Sequence, residues 1–254
     1  MTTSKIFIER SHSGRLGTWE IVKERTKSLT QEEISQYFKT LEETDNEMYI
    51  VFLNLIRCTG ARIAEIHSLH EKNISWETNE IFIDNTKMDG SRVVLMDNDT
   101  ATALKFYIRH NKQAIDRRER EWDRLVDREK KRLDRVMTEE YSPDGKVVRS
   151  KAALVRRELR AYKRRLTAPI FGVGYRQLER ITRNIGERAG IQKGIYCHLW
   201  RHIYSQQMHD SGADLVEIQG LLGHKSISTT RGYLLQNRKR EREAYDRAFN
   251  KKQE

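Results

Sequence analysis

Four residues late in the chain have side chains suited to chemistry on phosphate groups: His198, Arg201, His224 and Tyr233. A guanidinium can bind two phosphate oxygens at once, an imidazole can donate or shuttle a proton, and a tyrosine oxygen can attack phosphorus and hold it covalently. Two-metal nucleases hold their ions with carboxylates, but no cluster of carboxylates accompanies these four residues. The set therefore favours phosphoryl transfer through a covalent intermediate and argues against a two-metal nuclease.

Two motifs surround these residues. The His-x-x-Arg pair lies in HLWRH, and the second histidine and the tyrosine lie nine residues apart in LLGHKSISTTRGY. Both motifs resemble those of the C-terminal catalytic domain of the tyrosine recombinases, the family of phage integrases and Xer-type site-specific recombinases. The resemblance covers about residues 28–110 and 167–236, which is the part of the chain with a globular pattern.

An earlier motif and a turn extend the resemblance. TGARIAEI resembles the Thr-Gly-x-Arg motif of the family, which makes Arg62 the first catalytic arginine and Glu65 the acidic residue that supports the site. The family places a lysine at the tip of a β-hairpin, and Lys87 is the one lysine of the corresponding turn. All six catalytic positions of the family are therefore filled, in order.

The resemblance implies a defined reaction. Arg62 and Arg201 would hold the non-bridging oxygens of a DNA phosphate while Tyr233 attacks phosphorus, which leaves a 3′-phosphotyrosine and a free 5′-hydroxyl. Lys87 would protonate the leaving oxygen, and the two histidines would assist proton transfer and stabilise the developing charge. Because the phosphotyrosine conserves the energy of the phosphodiester, joining to another strand would need neither ATP nor a metal or other cofactor.

Other functions remain compatible with the motifs. A type IB topoisomerase-like enzyme would use the same tyrosine chemistry without strand exchange, but His198 favours a recombinase because those topoisomerases tend to have lysine there. A DNA-binding accessory protein could keep the fold without cutting DNA. His198 and His202 could also bind a metal from adjacent turns of a helix, but no third ligand follows at a suitable spacing. We therefore expect no metal site, and we expect Trp200 to pack in the core rather than to stack on bases.

The elements that must position these residues are mostly helical. Thr30 and Glu33 have the pattern of a helix-capping box, and Gly60 divides the following helical run into a helix that ends near Cys58 and another that begins near Ala61. The runs NEIFIDNT and SRVVLM, with an Asp-Gly turn between them, predict a β-hairpin. The sequence thus predicts a mainly α fold with a small antiparallel β-hairpin or sheet (α+β), as the resemblance to the tyrosine recombinase catalytic domain implies.

A charge-dense segment at residues 112–166 interrupts this pattern. Apolar residues recur there at helical intervals in two arms, with a turn at YSPDGK between them. In the first arm they are Ile115, Trp122, Val126, Leu133 and Val136, and in the second they are Val148, Ala152, Val155, Leu159, Tyr162 and Leu166. The segment predicts an antiparallel helical hairpin, inserted where the family usually has a short connection.

The second arm holds most of the excess positive charge. The chain has 48 basic and 37 acidic side chains and a formal charge of +11, and residues 146–166 contain nine basic residues against Glu158 alone. A charge-rich helix usually faces water, but an unbalanced basic arm also fits a polyanion. We expect DNA contacts from eight of these nine basic residues, which are Arg149, Lys151, Arg156, Arg157, Arg160, Lys163, Arg164 and Arg165.

The resemblance also implies a domain organisation. Residues 1–27 predict a β-rich extension that is too short for the separate DNA-clamping domain usual in the family, residues 28–236 form the expected catalytic domain, and residues 237–254 predict a tail helix. The expected partner is double-stranded DNA, bound by a homo-oligomer that is a dimer on one site and a tetramer on two.

Composition bounds the expected location. No run approaches the roughly 20 apolar residues that span a bilayer, so we expect no contact with a membrane. Cys58 and Cys197 both lie in apolar settings and are expected to be reduced thiols. Together these features favour a soluble cytoplasmic protein at the nucleoid of a prokaryote, or in the host cell of a virus.

Overall fold

The computed structural model describes residues 28–83, 91–136, 140–141, 147–149 and 151–223. Within these ranges the chain forms nine α-helices, five strands and one short 3-10 helix, Glu71–Asn73. The helices are α1 (Gln31–Glu42), α2 (Glu47–Thr59), α3 (Ile63–His67), α4 (Asn98–His110), α5 (Lys112–Val136), α6 (Lys151–Lys163), α7 (Tyr175–Arg188), α8 (Cys197–Asp210) and α9 (Leu215–Leu222). The strands are β1 (Ile74–Ser75), β2 (Glu80–Ile83), β3 (Arg92–Leu95), β4 (Glu140–Tyr141) and β5 (Val147–Arg149). The expected N-terminal extension and tail helix lie outside the described residues.

The prediction of a mainly α fold with a small antiparallel sheet is confirmed. Strands β1, β2 and β3 form one antiparallel sheet in that order, in which Ile81 pairs with Val94 and both side chains are buried. The expected hairpin exists as β2 and β3, whereas its turn lies outside the described residues. The sequence does not predict β1, because two residues are too few to show an alternating pattern.

Local signals determine the ends of the first helices. The hydroxyl of Thr30 accepts a hydrogen bond from the backbone N–H of Glu33 at 3.2 Å, and the Glu33 carboxylate accepts one from the backbone N–H of Thr30 at 2.7 Å, which confirms the capping box. Helix α2 ends at Thr59 because Gly60 adopts a left-handed φ of 58°. A side chain at Gly60 would also overlap the ring of Tyr204, so the turn before α3 requires glycine.

The core forms around helix α2, which packs against α4 and α8. Trp200 of α8 is fully buried, and its indole meets the rings of Tyr37 and Phe38 edge to face. The prediction that Trp200 belongs to the core is therefore confirmed. Both cysteines are free thiols, and burial raises the pKa of Cys58 to about 11 and that of Cys197 to about 12, so both thiols are protonated and unreactive at neutral pH.

The inserted helical hairpin is confirmed as α5 and α6, which pack along each other. Helix α5 follows α4 after a single residue and buries Ile115, Trp122 and Leu133, three of the apolar positions that the sequence predicts. Helix α6 buries Val155, as predicted, and also Leu154, which the predicted spacing misses. Strands β4 and β5 pair antiparallel beside the expected turn, so the prediction that Val148 belongs to the second helical arm is wrong, because this residue lies in β5. Both strands are too short for their pattern to be recognised in the sequence.

The base of the hairpin packs against helix α3. The buried ring of His67 meets Trp122 edge to face, and its Nε2 lies 3.0 Å from the carbonyl oxygen of Leu166. The guanidinium of Arg118 donates to two backbone carbonyls of the loop after the insertion, at 2.7 and 3.0 Å. Both ends of the insertion are therefore bonded to the rest of the fold. In the described part of the chain, no helix combines the length and the apolar character that crossing a membrane requires.

Candidate active site

Arg62 and Glu65 lie at the start of helix α3, next to the Gly60 turn. Arg62 is the N-cap residue, and its backbone N–H donates to Glu65 Oε2 at 2.7 Å while its guanidinium donates to Oε1 at 3.0 Å. The first turn of a helix favours a carboxylate, because its N–H groups lack partners within the helix. The side chain of Arg62 is 30% exposed and that of Glu65 is 12% exposed, so a nearly buried carboxylate orients an arginine that reaches solvent.

A second arginine, Arg92 of strand β3, binds the same carboxylate. Its two terminal nitrogens donate to the two oxygens of Glu65 at 3.0 and 2.7 Å. Burial by itself raises the pKa of Glu65, but the hydrogen bonds and charge of Arg92, with those of Arg62, outweigh burial and hold the pKa below its ordinary value. Glu65 is therefore ionised at neutral pH.

Sequence reasoning misses Arg92, although the strand contains a signal for it. In SRVVLM, Arg92 shares its alternation with Val94 and Met96, which are both buried. A charged residue on the inward face of a strand needs a buried partner of opposite charge. The pattern thus indicates that a carboxylate must pair with Arg92, but the identity of that carboxylate depends on the tertiary fold.

Arg201 of helix α8 reaches the Gly60 turn from a distant part of the sequence. Its side chain is completely buried, and its two terminal nitrogens donate to the carbonyl oxygens of Gly60, at 2.7 Å, and of Leu222. It therefore connects the turn before Arg62 with the last residue of helix α9. Because both terminal nitrogens donate to backbone carbonyls here, a contact between Arg201 and a phosphate stays a prediction.

His198 lies in the first turn of α8 and lines a pocket together with Arg62. The pocket has a volume of about 360 Å³ and is also lined by Arg164 and Glu179. Burial lowers the pKa of His198 below its ordinary value, and the positive charges of Arg201 and Arg62 lower it further. A neutral imidazole can donate one hydrogen bond and accept another, which is the property that proton transfer requires.

A second pocket extends the first toward the inserted hairpin. It has a volume of about 840 Å³ and shares Arg164, Tyr175 and Glu179 with the first pocket. We use the name arginine groove for the two pockets together. The charged side chains that line it, apart from His198, are Glu179 and the arginines 62, 164, 165, 176, 180 and 183. The groove therefore runs from the candidate site to the base of the insertion with a strong excess of positive charge.

Part of the arginine groove is predicted from the sequence and part is not. Arg164 and Arg165 belong to the predicted basic arm, and the guanidinium of Arg164 lies 5.1 Å from the ring centroid of Tyr175. The prediction misses three exposed arginines of α7, whose spacing of four and three residues places them on one helix face: Arg176, Arg180 and Arg183.

The rest of the basic arm lies on helix α6 and, for Arg149, on strand β5. Arg156 and Arg157 are exposed there, and Arg157 pairs with Glu158 at 2.9 Å. The side chains of Arg149 and Lys151 lie outside the described residues. The described lining of the groove thus includes the last two residues of the predicted DNA-binding set.

Four of the seven predicted site residues meet at the start of α3, and three lie outside the described residues. Those that meet are Arg62, Glu65, His198 and Arg201, and those outside are Lys87, His224 and Tyr233. The rings of His198 and His202 are 5.1 Å apart, edge to face. Among the residues that the structure describes, no three His, Cys, Asp or Glu side chains are grouped so that they could hold a metal ion.

Comparison with protein families and known proteins agrees with this architecture. The family model that is described as "Phage integrase family" matches residues 27–240 of this sequence. Tyrosine recombinase XerA of Pyrococcus furiosus is 26% identical over 234 residues, which are 92% of this chain and 66% of the relative.

Two solved structures share the fold. The crystal structure of XerA recombinase aligns with a TM-score of 0.56 at 22% identity, over 87% of this chain and 65% of that one. The XerH site-specific recombinase bound to difH substrate, a pre-cleavage complex, aligns with a TM-score of 0.55 at 18% identity, over 86% of this chain and 53% of that one. The chain thus spans between about half and two thirds of the length of these three proteins. Because the family model matches most of the sequence and the fold agrees, the chain belongs to the phage integrase family.

Proposed function

We propose that the chain is a site-specific DNA recombinase that cuts and rejoins strands through a 3′-phosphotyrosine on Tyr233. The observation that supports this proposal most directly is that Arg62 and Glu65 meet His198 and Arg201 at one turn, although the two pairs lie far apart in the sequence. Membership of the phage integrase family supports it, as do the names of the related XerA and XerH recombinases.

Arg62 is the residue that we expect to bind the scissile phosphate. Its guanidinium is partly exposed in the pocket and is already oriented by Glu65, so it can bind the non-bridging oxygens without rearrangement. A preorganised donor next to developing negative charge typically contributes about 10²- to 10³-fold to a rate. Glu65 bonds to two arginines and stays ionised, so it orients Arg62 and does not act as a base.

The remaining groups complete the proposed reaction. Tyr233 attacks phosphorus, Lys87 gives a proton to the leaving 5′-oxygen, and Arg201 binds a phosphate oxygen. His198, in the pocket with Arg62, and His224 assist proton transfer and hydrogen-bond the phosphate. These steps need neither a cofactor nor a metal, because the phosphodiester bond is exchanged for a phosphotyrosine bond of similar energy.

The proposed substrate is double-stranded DNA, and the arginine groove is the surface that supports this choice. Six arginines and only one carboxylate, that of Glu179, line the groove as described. A guanidinium group can bind two phosphate oxygens at once. The groove joins the candidate site to the basic arm of the inserted hairpin, so a duplex centred on Arg62 would contact both. XerH, which shares the fold, is bound to difH substrate in its solved structure.

The assembly and the domain boundaries belong to the same proposal. Residues 28–236 would form the catalytic domain, interrupted by the hairpin at 112–166, and residues 237–254 would dock on a neighbouring subunit. A dimer would bind one DNA site and a tetramer would join two. Such a protein would act at the nucleoid in the cytoplasm, where its DNA is.

Trapping a covalent adduct tests the proposed reaction. Purified protein is mixed with a library of nicked duplexes of randomised sequence, in which loss of the short fragment beyond the nick prevents religation. We expect a protein–DNA adduct with the wild type, none with Tyr233→Phe and none with Arg62→Ala. Arg109→Ala, which removes an exposed arginine of helix α4, is the matched control and should form the adduct normally.

The same experiment separates the alternative functions. An adduct together with relaxation of supercoiled plasmid, but without exchange between two selected sites, would indicate a type IB topoisomerase-like enzyme. Salt-sensitive DNA binding without any adduct would indicate an accessory DNA-binding protein. An adduct that persists in Tyr233→Phe would refute the assignment of the nucleophile.

A further inference from the structure

Arg92 bonds two separate parts of the fold at once. Its terminal nitrogens hold both oxygens of Glu65, and its Nε donates to the carbonyl oxygen of Leu221 at 2.9 Å. The side chain is 7% exposed, so these hydrogen bonds form away from bulk water, where bonds to charged groups are strong. One guanidinium thus joins the helix that begins after Arg62 to the end of helix α9.

The end of helix α9 is held by two arginines. The last carbonyls of a helix have no partner within it, and here Arg92 bonds that of Leu221 while Arg201 bonds that of Leu222. Gly223 follows with a left-handed φ of 62°, and a Cβ at this position would lie 2.9 Å from Cδ of Arg92. Glycine therefore lets the arginine pass close to the backbone where the helix ends.

The two arginines connect the same elements by different routes. Arg201 donates hydrogen bonds to the carbonyl oxygens of Leu222 and of Gly60 in the turn. Arg92 donates to the carbonyl oxygen of Leu221 and to the Glu65 side chain that orients Arg62. Loss of Arg92 would break the connection between the Glu65 carboxylate and the end of α9, and would leave Glu65 bonded to Arg62 alone. The bonds of Arg201 would remain and would keep the helices packed.

We propose that Arg92 is a positioning residue: through Glu65, it fixes Arg62 relative to the end of helix α9, after which the sequence continues to His224 and Tyr233. This inference rests on the proposed function, because phosphoryl transfer needs the phosphate-binding arginine and the nucleophile in one arrangement. Arg92 is buried and its bonds go to the protein's own groups. Its replacement therefore changes the rate of cleavage and leaves the affinity for DNA unchanged.

The effect on rate is tested by single-turnover cleavage of a nicked duplex that forms the trapped adduct with the wild type. Arg92→Met keeps the length of the side chain but removes the guanidinium, and Arg92→Lys keeps the charge but cannot bind two carboxylate oxygens and a carbonyl together. A small displacement of a catalytic group costs up to about 10²-fold in rate. We expect cleavage about 10- to 100-fold slower in Arg92→Met, partial recovery in Arg92→Lys, and an unchanged dissociation constant for the same duplex.

The control is Arg109→Met, which should cleave at the wild-type rate. Wild-type cleavage rates in both Arg92 variants would overturn the proposal. So would a loss of affinity large enough to account for the whole loss of rate.

A combination with Glu65→Gln shows whether Arg92 acts through Glu65. If it does, Arg92→Met should add little to the rate loss of Glu65→Gln, because the interaction is already broken. Rate losses that multiply in the double variant would mean that the two residues act independently and would contradict the proposal.

Arg92 connects Glu65 to Leu221, and we call this connection the Arg92 bridge. Hydrogen exchange tests the bridge independently of cleavage. In Arg92→Met we expect faster exchange of the backbone N–H groups of residues 218–223, with unchanged exchange in helix α2. If the wild type forms no adduct with any nicked duplex, the proposed function fails, yet faster exchange at 218–223 would still support the bridge. Unchanged exchange there would overturn the bridge even if every cleavage measurement succeeded.

Discussion

The guanidinium of Arg201 donates to the carbonyl oxygen of Gly60 at 2.7 Å, which bonds helix α8 directly to the turn that precedes Arg62. A second bond from the same group reaches Leu222. The arginine that the family motif assigns to catalysis therefore also holds two backbone segments together. Its replacement should affect stability and activity at once, whereas replacement of the more exposed Arg62 should affect activity far more than stability.

We expect Arg201→Ala to lower the free energy of unfolding by about 3 kcal/mol, because each hydrogen bond to a charged group contributes about 1.5–3 kcal/mol and two buried carbonyls lose their donor. Cleavage should fall by at least about 10²-fold. Arg62→Ala should lose cleavage to a similar extent with a much smaller change in stability. Urea unfolding and adduct formation measure the two effects, and equal stability of the two variants would contradict this distinction.

Arginines of the groove should determine how DNA affinity depends on salt. Each phosphate contact contributes about −0.9 to the slope of log affinity against log salt concentration. We expect Arg176→Gln combined with Arg180→Gln to make the slope shallower by roughly this amount per contact, and Arg164→Gln to do the same. Arg124→Gln, on helix α5 outside the lining of the groove and 75% exposed, should leave the slope unchanged. A slope that is equal in all variants would remove the groove from the DNA-binding surface.

Substitution is a better test of the hairpin than deletion. The insertion buries Trp122 and Ile115 against the rest of the fold, so removing residues 112–166 would expose core surface and mix a folding defect with a binding defect. The charge variants of Arg164, Arg176 and Arg180 avoid this, because all three side chains are exposed.

His67 should make stability depend on pH. Burial lowers the pKa of His67 to about 4, the hydrogen bond to the Leu166 carbonyl opposes this shift, and the charge of Arg164 adds to it. The folded state therefore resists protonation, while the unfolded state takes up a proton near the ordinary value of 6.5. The stability contributed by the neutral ring is present above pH 6.5 and is lost as the pH falls from 6.5 to about 4, by about 3 kcal/mol in total.

Urea unfolding at several pH values measures this dependence. His67→Gln keeps a donor for the Leu166 carbonyl and does not titrate, so its stability should fall less steeply between pH 6.5 and 4. His110→Gln, which replaces an exposed histidine, should keep the wild-type slope. A wild-type slope in His67→Gln would show that other groups cause the dependence.

Gly60 should not tolerate alanine. Its φ of 58° disfavours any residue with a Cβ, and the added methyl group would overlap the ring of Tyr204. We expect Gly60→Ala to lower the free energy of unfolding by about 1–3 kcal/mol. Gly194→Ala, where nothing lies near the added Cβ, should be close to neutral, and equal melting temperatures for the two variants would refute the steric explanation.

Features encoded by neighbouring residues could be predicted from the sequence. The Thr30 capping box, the break at Gly60, the hairpin strands and the helical insertion all depend on short spacings. The pair of Arg62 and Glu65 was accessible for the same reason, because three residues separate them on one helical turn.

Features that depend on distant residues could not be predicted in this way. Arg92 shows by its position in the strand that it needs a partner, but only the packing of β3 against α3 and α9 identifies Glu65 and Leu221. The arginines of α7 are spaced along one exposed face, which is ordinary for a surface helix. Only the folded structure shows that they line the groove that leads to Arg62.

The length of helix α5 has a consequence for the footprint of the protein on its substrate. Its 25 residues, at 1.5 Å each, give a rod of about 38 Å, close to one turn of B-form DNA at about 34 Å. Because α5 follows α4 almost without interruption and its Trp122 packs against His67 of α3, the rod has a fixed origin beside the Arg62 helix. Laid along a duplex, it would shield about one further helical turn from nuclease digestion, on one side of the cut.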